Sequence, residues 1–150
     1  MSDDCIFCAI AAGQAEASFV GATHRTVAFL DTLPLAEGHA LVIPRRHVVG
    51  LADLDDAEGA EMFQLARLLA STQRALGLAE GVNLFFADGD VAGQEVFHAH
   101  LHVLARRRTD GIRLEVDYPS PPDRQQLDAT AARMRSSLPE TFRRLEARER

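Results

Sequence analysis

The stretch His98-Ala-His-Leu-His-Val-Leu104 decides the fold prediction. Histidines at every second position alternate with apolar residues, which is the pattern of a half-buried β-strand, and we predict that this strand covers residues 96–104. Side chains at alternate positions of a strand share one face, about 6.6 Å apart. The sequence therefore predicts three imidazoles in a row on one face of a sheet.

Three of the six histidines of the chain lie in this stretch. Histidine has a reference pKa near 6.5, and neighbouring imidazoles repel one another when all are protonated, so at least one is expected to be neutral. A neutral imidazole is a nucleophile, a base or a metal ligand. Two other interpretations are a polar strand face in solvent and a metal site formed by the three histidines themselves.

The segments before this stretch predict a sheet with one main helix. Asp55 and Glu58 form a capping box, apolar residues follow at helical spacing, and Gly77 is a typical helix end, so we predict a core helix over 53–77. A short helix is predicted within 5–13. Further strands are predicted at 27–30, 40–43 and 83–87.

The C-terminal part differs in composition from the rest. After the three arginines at 106–108, a turn is predicted at 119–122 and one or two charged helices over 123–150. Their packing stripe is formed by Leu127, Ala131, Met134 and Leu138. We expect one domain over 1–150, with a core at about 5–106 and an extension over 107–150.

Composition limits the classes of partner. The chain has 150 residues, 47% of them hydrophobic, and a formal net charge of −6, so we expect one ordinary core and no binding to nucleic acid. No segment approaches the roughly 18 to 20 apolar residues of a membrane helix, and the first four residues do not resemble a signal peptide. The expected location is the cytoplasm, without membrane contact.

Cys5 and Cys8 are the two cysteines of the sequence. They lie too close together to staple distant parts of a fold, and a single pair cannot form a four-cysteine zinc site. A metal would have to recruit other ligands, for which histidine is the natural choice. A thioredoxin-like redox role is the alternative, but such a pair follows a strand, and there is no room for one before position 5.

Several motifs together resemble one family. The stretch 98–104 is similar to the His-φ-His-φ-His-φ-φ motif of the histidine triad (HIT) family, where φ is apolar. Three further segments resemble parts of that family in the same order, and the resemblance covers roughly residues 5–106. These segments are Gly93-Gln-Glu-Val-Phe97, Phe29-Leu-Asp31 with Pro34, and Gly38-His-Ala-Leu-Val-Ile-Pro44 with Arg45-Arg-His47.

The resemblance implies a fold and a set of functional residues. The fold is α+β, with an antiparallel sheet of about five strands, one main helix and a short N-terminal helix. His100 would be the nucleophile toward a nucleotide α-phosphate, while His102 and Gln94 would hold phosphate oxygens or the leaving group. Asp31 would bind the ribose hydroxyls. The base pocket would be lined by Ile6, Phe7, Ile10 and Phe29.

The resemblance also implies a metal site. Some HIT proteins bind zinc through a Cys-x2-Cys pair, the histidine after the Pro-basic-basic turn and the first triad histidine. In this sequence these residues are Cys5, Cys8, His47 and His98. Four protein ligands with no vacant position describe a structural zinc.

The implied activity is hydrolysis of a purine nucleoside phosphoramidate or a related nucleotide conjugate, through a nucleotidyl-histidine intermediate, by a homodimer. Two alternatives remain: a dinucleoside polyphosphate hydrolase or phosphorylase, and a nucleotide-binding regulator without turnover. Ala87 departs from the family, because many members have an asparagine there that positions the phosphate or a histidine. His39 lies where the family often has a further histidine, without a definite role.

Overall fold

The computed structural model describes residues 5–113, 120–140 and 142. The described chain groups into two compact units, Met1–Ile112 and Arg113–Arg150, and each is treated by itself. Within the described residues, the first unit contains five strands and two α-helices, and the second contains one α-helix. In chain order the elements are α1 (Ile6–Ala11), β1 (Phe19–Ala22), β2 (Thr26–Leu30), β3 (Ala40–Pro44), α2 (Asp56–Ala75), β4 (Gly81–Phe86), β5 (Leu101–Arg106) and α3 (Arg124–Ser137).

The five strands form one antiparallel sheet with the order β1-β2-β3-β5-β4. The predicted α+β fold with about five strands is therefore confirmed. All five residues of β3 are buried, because both faces of the sheet are covered. Alternate strand residues enter two separate cores, one of which includes residues of α2 and the other residues of α1.

The main helix α2 begins where the capping box predicts. The Asp55 carboxylate accepts from the Glu58 backbone N–H at 2.7 Å, and the Glu58 carboxylate accepts from the Asp55 N–H at 3.1 Å. The helix ends at Ala75, and Gly77 follows with φ +71°, a conformation that favours glycine. The helix is thus shorter than the predicted 53–77, since residues 51–53 form a separate 3₁₀ turn.

The strand predicted over 96–104 is wrong in its first half. β5 begins only at Leu101, so His102 lies on the strand while His98 and His100 lie in the segment before it. The backbone groups of this segment make hydrogen bonds outside a strand ladder. The His98 carbonyl oxygen accepts from the His100 ring, and the Ala99 N–H donates to the Val48 carbonyl oxygen at 2.7 Å. The three histidines consequently do not all belong to one regular strand.

The predictions also missed β1, whose residues Phe-Val-Gly-Ala show no alternation and end in small side chains. In the second unit, the predicted C-terminal helix is observed as α3, capped by Asp123, whose carboxylate accepts from the Gln126 N–H at 2.8 Å. Residues 143–150 of the predicted helical region, and Pro119 of the predicted turn, lie outside the described residues. In the described part of the chain, no helix has both the length and the apolar composition to cross a membrane.

Two adjacent leucines of α2 test the assigned core. Leu69 is 7% exposed and packs in the core, whereas its neighbour Leu68 is 53% exposed. We predict that Leu69→Ala lowers the free energy of unfolding by about 2–5 kcal/mol, because it removes buried methyl groups and leaves a cavity. Leu68→Ala is the matched control and should change it by less than about 0.5 kcal/mol. Urea denaturation measures both, and equal losses would contradict the assigned face of α2.

Candidate active site and metal centre

His98 is fully buried and uses both ring nitrogens. Its Nε2 lies 2.9 Å from the Pro44 carbonyl oxygen, and because a carbonyl can only accept, Nε2 carries the proton. The lone pair of a neutral imidazole is then on Nδ1, which faces the sulfur atoms of Cys5 at 3.5 Å and Cys8 at 3.6 Å. The backbone of β3 thus sets the tautomer that presents Nδ1 as a ligand.

The predicted metal residues Cys5, Cys8, His47 and His98 come together, with their four ligand atoms within 4.8 Å of one another. The Cys8 sulfur also lies 3.3 Å from His47 Nδ1. In a tetrahedral zinc site with ordinary bond lengths, the sulfur and nitrogen ligands are about 3.5 Å apart. The observed distances of 3.3, 3.5 and 3.6 Å match this edge. Donor type and spacing both fit a structural zinc.

The His47 ligand is held in place by an ion pair on its neighbour. The Arg46 guanidinium donates to both carboxylate oxygens of Glu58, at 3.0 and 2.7 Å, and to the Asp53 carbonyl oxygen at 2.9 Å. Glu58 is 4% exposed and belongs to the first turn of α2. This bidentate ion pair connects the turn after β3, which carries His47, to the first turn of α2.

His100, the predicted nucleophile, has one ring nitrogen occupied and one available. Its Nδ1 lies 2.7 Å from the His98 carbonyl oxygen, so Nδ1 carries the proton and donates. In the neutral ring the lone pair is then on Nε2. The edge of Phe7 packs against this ring, with centroids 5.3 Å apart, and restricts its rotation. The Nε2 lone pair of His100 is therefore available, which is the form in which an imidazole can act as a nucleophile.

A fourth histidine, His39, joins the site through His102. The Leu35 N–H donates to Nδ1 of His39 at 3.3 Å, so in neutral His39 the proton is on Nε2. That Nε2 lies 3.0 Å from Nδ1 of His102, which therefore accepts. His102 in turn carries its proton on Nε2, where it is available as a donor.

Burial favours the neutral form of these rings. Burial lowers the pKa of His39, and the nearby Asp31 carboxylate acts in the opposite direction. Burial, followed by the charges that His100 and His39 can carry, lowers the pKa of His102 to about 4. His102 is consequently an uncharged donor at neutral pH.

Asp31, His39 and His102 also satisfy the distance criterion for a metal site. Their contacts already have another explanation, since the two rings share a hydrogen bond and the Asp31 carboxylate accepts from the Leu33 N–H at 2.9 Å. The Asp31 carboxylate lies 3.5 Å from Nδ1 of His39, longer than a hydrogen bond to an N–H at ideal geometry. We therefore assign this group to hydrogen bonding.

Gln94 lies at the site, but all of its donors are used. Its amide nitrogen donates to the carbonyl oxygens of Val49 at 2.8 Å and Val96 at 3.2 Å, and its amide oxygen accepts from the Gly89 N–H at 2.8 Å. The side chain is 3% exposed. In this arrangement Gln94 shapes the loop before the triad and has no N–H left for a phosphate.

The residues predicted for the nucleoside fall into two groups. Phe7, Ile10 and Phe29 are buried in the core beside α1. Among these three described residues, Phe7 makes ring contacts with triad histidines, namely His98 and His100. Ile6 is half-exposed. Asp31 lies next to the site, with its carboxylate partly accessible and close to His39.

The chain is similar to proteins of a known family. The HIT domain family matches residues 12–109 of the chain. A HIT-like protein of Mycobacterium tuberculosis is 39% identical over 140 residues, which cover 89% of this chain and 92% of that protein. The chain belongs to the HIT family.

Solved structures show the same fold. A HIT family protein from Bacillus anthracis, 30% identical, has a TM-score of 0.85 and covers 93% of this chain and 100% of its own. A zinc-bound histidine triad protein from Mycobacterium smegmatis is 36% identical with a TM-score of 0.72, and covers 92% of this chain and 100% of its own. Together with the Cys5, Cys8, His47 and His98 cluster, it supports a structural zinc as the cofactor.

A named enzyme is also among the relatives. The adenylylsulfatase HINT3 of Arabidopsis thaliana is 30% identical over 110 residues, which are 73% of this chain and 56% of that protein.

Elemental analysis tests the zinc site. We predict that Cys8→Ser lowers the zinc content of protein purified without chelator from about one ion per chain to a small fraction of that, because a serine hydroxyl is a poor zinc ligand. His24→Ala is the control, since His24 is exposed and lies outside the cluster. Unchanged zinc in Cys8→Ser, or equal loss in both variants, would contradict the assigned ligands.

The lowered pKa of His102 gives a second test. Its imidazole should stay uncharged from pH 8 down to pH about 5, because its pKa lies at about 4, whereas an ordinary histidine becomes protonated near pH 6.5. Two-dimensional ¹H–¹⁵N spectra of the imidazole nitrogens follow this titration. A midpoint near the ordinary value would show that the ring is hydrated and that the described burial is wrong.

Proposed function

We propose that this protein is a nucleotide hydrolase that cleaves a purine nucleoside phosphoramidate, or a related nucleotide conjugate, through a covalent intermediate on His100. Membership of the HIT family and the adenylylsulfatase relative support nucleotide hydrolase or transferase chemistry in general. The single observation that carries the finer proposal is the hydrogen bond from His100 Nδ1 to the His98 carbonyl oxygen, which leaves the lone pair on Nε2.

In the first step, the lone pair of His100 Nε2 forms a bond to the α-phosphorus, and the bond from phosphorus to the leaving amine breaks. The electron pair leaves on the amine nitrogen, which takes a proton from solvent. Water then attacks the same phosphorus, the nucleotidyl-histidine bond breaks with its electron pair returning to Nε2, and the water loses one proton to solvent, giving the nucleoside monophosphate and neutral His100. Two displacements replace one difficult hydrolysis.

His102 supplies a hydrogen bond to the phosphate in this proposal. Its Nε2–H is the donor left by the bond from His39, and burial keeps the ring neutral by lowering its pKa to about 4. Gln94 acts on the site indirectly, by joining the 88–94 loop at Gly89 to the segment after β3 at Val49. Several N–H groups of this loop donate within the loop itself: those of Gly89, Val91, Ala92 and Gly93.

A bound zinc ion supplies structural support, not substrate activation. Two thiolates offset its charge, and four protein ligands leave no position for a phosphate oxygen. His98, which would be one of the zinc ligands, orients His100 through its own carbonyl oxygen.

The charge of the 88–94 loop favours a phosphoramidate over a dinucleoside polyphosphate. Asp88 and Asp90 place two carboxylates in this loop, and the Arg46 guanidinium is paired with Glu58. A polyphosphate leaving group carries several negative charges that these carboxylates repel. An uncharged or cationic amine meets no such repulsion.

Turnover of an adenosine phosphoramidate tests the nucleophile. We predict that His100→Ala lowers kcat by a factor on the order of a thousand or more, because no other group can form the covalent intermediate. Binding of AMP should persist in this variant, and His24→Ala should retain full turnover because that side chain is exposed. Undiminished turnover in His100→Ala would overturn the assignment.

Substrate comparison decides between the alternatives. Faster cleavage of diadenosine tetraphosphate than of the phosphoramidate would favour the polyphosphate activity. Binding of AMP by the wild type without cleavage of either compound would favour a regulatory role.

We further propose that the protein forms a homodimer through β4, which lies at one edge of the sheet. Leu84 is 39% exposed and Phe85 is 41% exposed, and an edge strand with apolar side chains is suited to pairing with another strand. Light scattering after gel filtration should give twice the 16.4 kDa of one chain. Phe85→Glu should shift the mass toward one chain, and an unshifted dimer would exclude this edge.

A further inference from the structure

Gln73 is a polar side chain of α2 that lies inside the protein, with 5% of its surface exposed. Its amide nitrogen donates two hydrogen bonds, to the carbonyl oxygen of Gly38 at 2.9 Å and to that of Val103 at 3.1 Å. One side-chain nitrogen therefore joins the helix to the loop just before β3 and to strand β5.

The orientation of this amide is determined by its surroundings. Both neighbours are carbonyl oxygens, which only accept, so the nitrogen and not the oxygen must face them. The amide oxygen of Gln73 has no hydrogen-bond partner among the described residues. A buried amide oxygen without a partner is unfavourable, and a methionine would fill similar space without that cost. The favourable contribution of Gln73 thus lies in its two donated bonds.

The two acceptors lie beside the His39–His102 pair. Gly38 directly precedes His39, and Val103 directly follows His102. The ladder between β3 and β5 ends at the pair Ala40 and Val103, so it does not extend to His39. The two hydrogen bonds from Gln73 connect Gly38, which lies beyond the end of this ladder, with Val103 of β5.

Packing at Gly38 supports the same role. The backbone of Gly38 has φ +81°, and a Cβ atom there would lie 3.1 Å from a methyl carbon of Leu78. The main chain just before His39 therefore lies close to the Leu78 side chain in the segment after α2, and a residue larger than glycine would displace that methyl group.

We propose that Gln73 is a positioning residue of the active site, which keeps His39 within hydrogen-bond distance of His102 and so maintains the Nε2–H form of His102. The proposal rests on the function proposed above only for its effect on turnover. The effect on the histidines themselves can be measured without any substrate.

The test substitutes Gln73→Met, which keeps length and burial but removes both donors. We expect kcat to fall about tenfold while KM changes by less than about twofold, because a small displacement of a positioned group slows the chemical step. The ¹⁵N shifts of His102 should change from one tautomer to a mixture, and its titration should move to higher pH. The groups that face His102 and act on this titration are His39, His100 and Asp31.

Leu69→Ala is the matched control, because Leu69 is also buried on α2 but donates no hydrogen bond from its side chain. It should destabilise the protein at least as much as Gln73→Met and leave the His102 shifts and the KM-to-kcat pattern unchanged. Equal changes in the two variants, or unchanged His102 shifts in Gln73→Met, would overturn the proposal.

A measurement on the wild type keeps the test independent of the variant. The side-chain amide protons of Gln73 should exchange with solvent far more slowly than those of an exposed glutamine, and fast exchange would contradict the two bonds. If the His102 shifts change in Gln73→Met but the wild type cleaves no nucleotide, the positioning role stands and the proposed function fails.

Discussion

The arrangement of the site depends on the hydrogen bonds of His98. This one residue donates from Nε2 to the backbone of β3, directs Nδ1 toward two cysteine sulfur atoms, and accepts from the His100 ring through its own carbonyl oxygen. Each interaction fixes a different degree of freedom: the tautomer, the metal ligand and the orientation of the next functional ring. The buried residue His98 therefore links the metal centre to the proposed nucleophile His100.

The arrangement of the site also depends on the charge state of its histidines. Four histidines, His39, His98, His100 and His102, lie in contact or nearly so, and burial lowers the pKa of three of them, His39, His98 and His102. Neutral rings can exchange hydrogen bonds, with one nitrogen donating and the other accepting, whereas protonated rings would only repel. The hydrogen bonds from Leu35 to His39 and from His39 to His102 depend on neutral rings. They leave the Nε2–H of His102 available to donate to a phosphate.

The sequence predicted the parts of the fold that depend on local patterns. The capping box at Asp55 and the glycine at 77 located α2, and runs rich in β-branched or aromatic residues located β2, β3 and β4, because these signals act within a few residues. The prediction failed at β5, where alternation suggested a strand from residue 96 but tertiary hydrogen bonds of His98 and Ala99 delay it to Leu101. It also missed β1, whose residues lack a strand pattern.

The site residues likewise divide into those that the sequence predicts and those that depend on tertiary contacts. The resemblance to the family implied the ligand set Cys5, Cys8, His47 and His98, and these residues do lie together. The link from His39 to His102 joins residues 63 positions apart, and no local pattern could have indicated its direction. Gln73 lies in an ordinary amphipathic helix, where a polar residue is usually on the solvent face. Its burial and its contact with two carbonyl oxygens follow only from how α2 packs on the sheet.

The central claim is that the His98 carbonyl oxygen holds the proton of His100 on Nδ1 and so exposes Nε2 for attack. The ¹⁵N chemical shifts of the His100 ring in zinc-loaded protein at neutral pH measure this directly. The account predicts a protonated Nδ1 and an unprotonated Nε2. A proton found on Nε2 of His100, with an unprotonated Nδ1, would contradict it.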